Sequence, residues 1–477
     1  MEHPLLIGGT WVRTGQASPN VNPSDTSDII GHHANAGAPE AQAAIDAAAD
    51  ALPAWSMSTP EVRHDLLKAA GDAMMGRRSE LGTLLSREEG KPLAEGIAEV
   101  ERAARIFDFF AGEALRQGGE RLASTRPGID VEITREPVGI VALIAPWNFP
   151  AAIPVWKTAP ALAFGNTVIL KPAELVPGTA SAIAEILHGA GAPPGVFNLL
   201  TGPGAVAGQA LLDDPRVDAV SFTGSTGTGA RVAEASVRHG RRFQLEMGGK
   251  NPLVVLDDAD LERAVSAAVA GAFEATGQRC TASSRLIVTE GIHGRFVEAM
   301  GDAMRALTVD HALKEGTTIG PVVDQRQLDQ DLRYLEIARA EGGNIRFGGE
   351  RLRRATDGFY LSPALVTDTT NDMRINREEV FGPVASVIRV RDYEEAIAVA
   401  NDTPFGLSAG ICTSSLKHAS HFKRHVEAGM VMINLPTAGV DYHVPFGGRK
   451  GSNMGPREQG SLAREFYTVA KTSYTAP

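Results

Sequence analysis

Cysteine is nearly absent from this chain of 477 residues: Cys280 and Cys412 are the only two, and they lie far apart. That excludes a disulfide scaffold and a cysteine-based zinc site, and it fits a reducing compartment. Long apolar runs are missing too. The best, Val138 to Ala145, is strand-length, well short of the roughly 18 residues of a membrane span. Met1-Glu2-His3-Pro4 lacks a basic start with an apolar stretch behind it, so a secretory signal is not expected and a cytoplasmic location is. Positive charge is not in excess: 46 Lys+Arg stand against 57 Asp+Glu, a net −11. A broad nucleic-acid face needs concentrated cations, so neither nucleic acid nor membrane is expected as a partner. The histidines offer no metal site either. His421 and His425 are four apart in a helical stretch but have no third ligand in view.

What is present is an ordinary soluble balance, 43% hydrophobic and 22% charged. At about 150 residues per domain the length suggests roughly three lobes, and 51 Gly with 28 Pro suggest many tight loops. The first hundred residues read as helices. Ile45, Ala48 and Leu52 share a face before Pro53 stops the run; Val62, Leu66, Ala70 and Ala73 repeat the pattern, as do Ile97, Val100, Ala104 and Phe107. Val131 to Arg135 switches to a period of two, a half-exposed strand.

Short β-rich runs then appear at Ile140–Ala145, Thr167–Leu170, Val196–Leu200, Ala219–Phe222 and Leu253–Leu256, the first four alternating with helix-length stretches. Strand, crossover helix, strand at this spacing predicts an α/β fold with a parallel sheet, whose ligands bind beyond the carboxyl ends of the strands. The second half repeats the alternation. A helix from Ala259 to about Thr276 precedes the Cys280 loop, with strands at Arg285–Thr289, Val384–Val390, Leu407–Cys412 and Met430–Asn434 and a helix at Tyr393–Asn401. Pro445–Gly460 reads as a long loop and Glu465–Tyr474 as a closing strand.

Four loops carry chemistry. Pro146-Trp147-Asn148-Phe149-Pro150 is a rigid turn presenting Asn148, whose amide can donate to an oxyanion. Thr223-Gly224-Ser225-Thr226-Gly227-Thr228-Gly229 brings backbone N–H groups to a helix N-terminus, where phosphate is favoured; its G-x-x-G-x-G spacing differs from the usual dinucleotide fingerprint. Lys171-Pro172-Ala173-Glu174 places a cation and a carboxylate where a ribose could be held, and the carboxylate tilts the choice toward NAD over NADP. Gly277-Gln278-Arg279-Cys280-Thr281 sets a thiol in a polar loop, a placement for a nucleophile. Glu246, followed by Met247-Gly248-Gly249-Lys250-Asn251, supplies a carboxylate in a Gly-rich bend.

These segments occur in one order with Glu378-Glu379-Val380-Phe381-Gly382-Pro383 and Pro445-Phe446-Gly447-Gly448. Together they resemble the aldehyde dehydrogenase superfamily over nearly the whole chain. The resemblance implies Cys280 as nucleophile, Glu246 as general base, and Asn148 with the Cys280 N–H as oxyanion donors. It implies Trp147, Gly224, Ser225 and Gly248 around the dinucleotide, Lys171 and Glu174 at its adenosine ribose, and Glu379 and Phe381 at its nicotinamide end. It implies a Rossmann-like dinucleotide-binding domain (1–117 and 138–247), an α/β catalytic domain (248–454) and a small β oligomerisation extension (118–137 and 455–477). The expected cofactor is NAD or else NADP, the expected assembly a homodimer or homotetramer, and no metal is implied. The presence of Glu246 argues for a free acid as product rather than an acyl group passed to coenzyme A.

The stretch from Asn434 to Gly460, with Glu465-Phe466-Tyr467-Thr468 and Lys471-Thr472-Ser473-Tyr474, is similar to the branch of the superfamily that oxidises α-ketoglutaric semialdehyde (2,5-dioxopentanoate). That implies a small, carboxylate-bearing aldehyde as substrate. Two departures stand out. Asn453 follows Ser452 where many members have Gly, a change expected to alter the loop but not the chemistry. Trp156 precedes Lys157 where some succinate-semialdehyde enzymes carry an Arg, which leaves Arg279 as the expected partner of a substrate carboxylate. Other aldehydes (succinic semialdehyde, glycolaldehyde or an aromatic aldehyde), a cofactor-independent thiol esterase and a non-catalytic binding protein remain as alternatives at this point.

Overall fold

Aliphatic and β-branched runs build the centre of the molecule. In the computed structural model, which describes residues 2–476, the runs between Ile140 and Glu246 form the strands Ile140–Ile144, Thr167–Lys171, Phe197–Leu199, Ala219–Thr223 and Arg242–Glu246. These five lie parallel in the order 242–246, 219–223, 140–144, 167–171, 197–199. Near-continuous burial along the first four shows that both faces are covered, as parallel sheets require. Leu5–Ile7 and Thr10–Val12 extend one edge antiparallel, and Asn453–Met454 closes the other against Arg242–Glu246.

From Ile140–Ile144 the chain steps outward through Thr167–Lys171 to Phe197–Leu199, then returns to the opposite side with Ala219–Thr223. The loops after Ile140–Ile144 and Ala219–Thr223 therefore diverge at a topological switch point, the crevice where such sheets take ligands.

Only the four residues 247–250 separate the last parallel strand of this sheet from Asn251–Val255, an interior strand of a second sheet. That sheet runs 344–347, 364–369, 384–390, 283–289, 251–255, 408–412, 430–433, with the outermost pair 344–347 and 364–369 antiparallel. Arg285, fully buried on Ser283–Thr289, donates to the carbonyls of Lys250, Val399 and Ala400 and to Asn371. It ties that strand to the last carbonyls of the helix Tyr393–Asn401, where a cation complements the dipole.

Several sequence expectations are corrected. Residues 2–34 are not helical: 2–3, 17–22 and 25–34 form a three-stranded sheet. Their polar, histidine-containing sequence hides the alternation. Pro53 does not end its helix, which runs Ala38–Ser56; the proline is exposed and near the last turn, where water can satisfy the freed carbonyl. On the helix Pro60–Gly76, Val62 and Ala73 face solvent, and the buried stripe is Arg63, Leu66, Leu67, Ala70 and Met74. The Ala259–Thr276 helix is shorter, Leu261–Phe273, with a 3-10 turn behind it. The closing strand is Thr468–Thr475, preceded by a short helix Arg464–Tyr467, and it pairs antiparallel with Asp130–Pro137, which pairs in turn with Glu120–Ala123. No helix among the described residues is long and apolar enough to cross a membrane.

Candidate active site

The carboxyl edge of the first sheet meets the amino edge of the second, and the predicted residues gather there. A cavity of about 220 Å³ is lined by residues that include Trp147, Asn148, Thr223, Gly224, Ser225, Gly248, Cys280, Glu379 and Phe381. Of the expected site residues, Lys171 and Glu174 stand apart at the end of Thr167–Lys171. Lys171 is buried, donates to the Pro172 carbonyl (2.8 Å), and is pulled down to about 8 by desolvation; Glu174 is exposed beside it.

Two asparagines hold the Cys280 loop. Asn148 Nδ2 donates to the Gln278 carbonyl (2.9 Å), and Asn251 Nδ2 donates to the carbonyls of Cys280 (2.7 Å) and Ala282 (3.0 Å). Upstream, Ala275, Thr276 and Gly277 take positive φ in succession (50°, 56° and 67°). Two of these carry side chains, so the turn is strained and persists only because its surroundings fix it. Gly277 is obligatory on space as well, since a Cβ there would lie 2.2 Å from the Gly382 carbonyl oxygen. The Cys280 sulfur is half-buried, and burial, with the Glu379 and Glu246 carboxylates nearby, pushes its thiol up to about 12. The backbone N–H groups of Cys280 and Thr281 donate to it and oppose that rise.

Asn148 is itself clamped by a buried network that sequence reading missed. Lys91 Nζ donates to the Asn148 carbonyl (2.8 Å) and to Glu99 Oε2 (2.7 Å), and lies 4.1 Å from the Phe149 ring centroid. Glu99 Oε1 accepts the N–H groups of Ala151 and Ala152. A lone Lys and Glu near a helix start read as solvated charges; only the packing of Leu93–Ala114 on Ala152–Ala163 brings them to the loop.

Glu246 is 1% exposed. Asn453 Nδ2 donates to its Oε1 (2.6 Å), while Oε2 is buried without a partner. Burial and the neighbouring Glu458 carboxylate raise it well above the usual carboxyl range; Lys157, Asn453 and Arg457 oppose them. Lys157 Nζ pairs with Glu458 and donates to Ser221 Oγ (2.8 Å). The Asn453 departure therefore touches the carboxylate directly, against the expectation that it would spare the chemistry.

Glu379 Oε1 accepts the Gly249 N–H (2.7 Å), and burial lifts its carboxyl to about 7. A Cβ on Gly248 would lie 2.3 Å from that carboxylate, so any larger residue there would displace the Glu379 side chain. Phe381, at φ 66°, meets the Trp147 ring edge-on at 5.4 Å. Ser225 caps the helix Thr226–Arg238, its Oγ accepting the Thr228 N–H, and Thr223 Oγ1 is buried without a partner at the cavity. The Arg279 head is not brought to this cavity. It donates to the carbonyls of Ala270 and Gly271 and pairs with Glu274. Among the described residues no group of three or more His, Cys, Asp or Glu is arranged to hold a metal ion.

A family model described as "Aldehyde dehydrogenase family" matches residues 11–473. The chain is 43% identical over 476 residues to an alpha-ketoglutaric semialdehyde dehydrogenase of Bacillus subtilis, covering 99% of this chain and 98% of that one. Among solved structures, betaine aldehyde dehydrogenase of Staphylococcus aureus in complex with NAD+ superposes with a TM-score of 0.97 at 34% identity, over 99% of this chain and 95% of that one. An Escherichia coli protein described as an NADP-dependent enzyme superposes with a TM-score of 0.97 at 36% identity, over 100% and 98%.

The Glu379 environment makes a prediction about stability. Its folded-state pKa of about 7 lies above its ordinary 4.5. Between those values the folded chain keeps a proton that the unfolded chain has released. The stabilisation is complete below the ordinary value and is lost as pH rises through about 7. Glu379→Gln cannot titrate, so the variant gains stability relative to the parent between about pH 5 and pH 8. Thermal unfolding of both ligand-free proteins at the two pH values checks this; a constant difference contradicts it.

Proposed function

Because the chain belongs to the aldehyde dehydrogenase family, we propose that it oxidises a small, carboxylate-bearing aldehyde, α-ketoglutaric semialdehyde, to the free acid with a nicotinamide dinucleotide as electron acceptor. One observation carries the proposal: Cys280, Asn148 and Glu379 line one cavity, and the Glu246 carboxylate acts electrostatically on the Cys280 thiol. The substrate rests on the similarity to the Bacillus enzyme.

The residues present suit a dinucleotide. The Ser225-capped helix N-terminus and the unpartnered Thr223 hydroxyl favour a pyrophosphate. Lys171 and Glu174 suit the adenosine ribose, and Glu379, beside Trp147 and Phe381, suits the nicotinamide end. Hydride acceptance is the chemistry such a group supplies when bound. Exposed Glu174 accepts from a 2′-hydroxyl and repels a 2′-phosphate, which favours NAD; the NADP-dependent neighbour keeps NADP as the second reading.

The chain's own residues then act in sequence. Cys280, partly open to solvent, releases its proton to water as its sulfur attacks the aldehyde carbon. Asn148 has two amide hydrogens, and Gln278 takes one; the other, with the Cys280 N–H, meets the growing oxyanion, where each preorganised donor contributes roughly 3–4 kcal/mol. Collapse of the alkoxide expels the former aldehyde hydrogen with its electron pair and leaves a thioester on Cys280. Glu246 takes a proton from water, the hydroxide displaces the thiolate, and the acid departs. Burial and Glu458 raise its pKa, which strengthens its ionised form as a base.

In the same reading, residues 1–117 and 138–247 form the dinucleotide-binding domain, 248–454 the catalytic domain, and 118–137 with 455–477 an extension that assembles a homodimer or homotetramer. Support for the extension comes from the outer strand Thr468–Thr475, mostly exposed and carrying Tyr474 at 62% exposure. Unpaired edges of this kind are usually covered.

The test of the substrate is kcat/KM for α-ketoglutaric semialdehyde against succinic semialdehyde, glycolaldehyde and an aromatic aldehyde, with NAD and with NADP, followed by absorbance of the reduced nicotinamide. The first is expected to lead; a lead by the aromatic aldehyde, or no reduction of either dinucleotide, contradicts the proposal. Asn453→Gly removes a donor that favours the charged form of Glu246. Its carboxyl then rises further, so the acid limb of the pH–rate profile moves to higher pH. An unshifted limb contradicts the assignment of Glu246 as base.

A further inference from the structure

A carboxylate-bearing substrate needs a cation, and the Arg279 guanidinium is already engaged by Ala270, Gly271 and Glu274. A different arginine is not engaged. Arg102 lies on the helix Leu93–Ala114, half-buried, with its Nε shielded from solvent and without a hydrogen-bond partner.

The face of the helix that carries Arg102 is the one that meets the site. Positions 95, 99, 102, 106 and 109 recur at three- and four-residue spacing and so share that face. Glu95 Oε1 accepts the Ala275 N–H in the turn before Cys280, Glu99 holds the amides behind Asn148, and the Phe109 ring lies 6.4 Å from that of Tyr442. Arg102 sits between these contacts. Its charge acts on Glu99, Asp441 and Cys280. Glu99 is already satisfied by Lys91 and two backbone amides, and Asp441 is exposed to water. What remains is a guanidinium with an unused donor, on the helix face that meets the Cys280 loop and with its charge acting on the Cys280 thiol. A guanidinium stays charged even where burial lowers its pKa, and its fork matches a carboxylate in bidentate fashion.

We propose that Arg102 receives the carboxylate of the aldehyde substrate and so sets the preference for acidic aldehydes. The proposal rests on the reading above that the substrate carries a carboxylate. The site it describes is one cation on the face of Leu93–Ala114 that also carries Glu95 and Glu99, to be reached by the end of the substrate away from the aldehyde. Charge and geometry do the selecting: an uncharged aldehyde leaves the guanidinium unpaired.

The experiment measures kcat/KM for succinic semialdehyde and for butanal, which has the same chain length without the carboxylate, in the parent and in Arg102→Gln, Arg102→Lys and Arg279→Gln. The parent prefers the acidic aldehyde, and Arg102→Gln lowers that ratio at least about tenfold, mainly through KM. Arg102→Lys keeps part of the ratio, Arg279→Gln keeps all of it, and competitive inhibition by glutarate weakens in step with loss of the charge at 102. Should Arg102→Gln not fold, the same ratio and glutarate inhibition read in Arg102→Lys, where a point charge replaces the fork, carry the test. A parental preference that survives in the Arg102 variants, or that is lost only in Arg279→Gln, overturns the role of Arg102 while leaving the substrate reading intact. A parent with no preference for the acidic aldehyde overturns both.

Discussion

The Cys280 loop is held between two asparagine side chains, and the rest of the site follows from that arrangement. Asn148 reaches it from the first sheet and Asn251 from the second, each through an amide N–H to a loop carbonyl. Such bonds between sheets fix separation as well as direction. They allow three consecutive residues to stay at positive φ shortly before Cys280, a conformation that an unsupported loop would relax. The same Asn148 is gripped from behind through its carbonyl by Lys91. One residue thereby connects a buried ion pair, the amide proposed to meet the oxyanion, and the loop of the thiol.

Charge burial is the second theme. Lys91 with Glu99, and Lys157 with Glu458, are nearly sealed from solvent; the first pair holds Asn148 and the second acts on Glu246. Buried pairs of this kind add little net stability, and their value lies in position. Lys157 and Glu458 act on Glu246 with opposite sign, so the state of that carboxyl depends on a pair one step removed from the substrate. Asn453 adds a direct hydrogen bond to the same group. Glu246 is thus a titratable group raised by burial and Glu458 and opposed by Lys157, Asn453 and Arg457, a perturbation of the kind that functional sites concentrate.

Much of this was legible in the sequence, and the boundary is physical. The parallel strands showed because both faces are buried, giving short aliphatic runs such as Val384–Val390, which forms as expected. The strand Arg242–Glu246 was not legible. Its Gln244 and Glu246 are polar yet buried, and they accept from Ser221 and Asn453, which come from elsewhere in the chain. The opening sheet of 2–3, 17–22 and 25–34 was hidden for a similar reason. Cys280, Asn148 and Glu379 were legible because they sit in Gly- and Pro-marked loops. Lys91, Lys157, Arg102 and Glu458 were not, because an isolated charge has the same sequence signature whether it faces water or a catalytic loop. Arg279 was misleading in the opposite way, being next to the nucleophile in sequence while its guanidinium turns to helix carbonyls.

The central claim is a covalent bond between the Cys280 sulfur and the carbonyl carbon of the substrate. It is tested most directly by blocking release of the acyl group and weighing the protein. Glu246→Gln, mixed with the aldehyde and dinucleotide and quenched in acid, should gain the mass of the acyl group on the peptide that carries Cys280, and on no other. An unmodified Cys280 in a sample that has reduced one equivalent of dinucleotide, or an adduct on Cys412, would contradict the account.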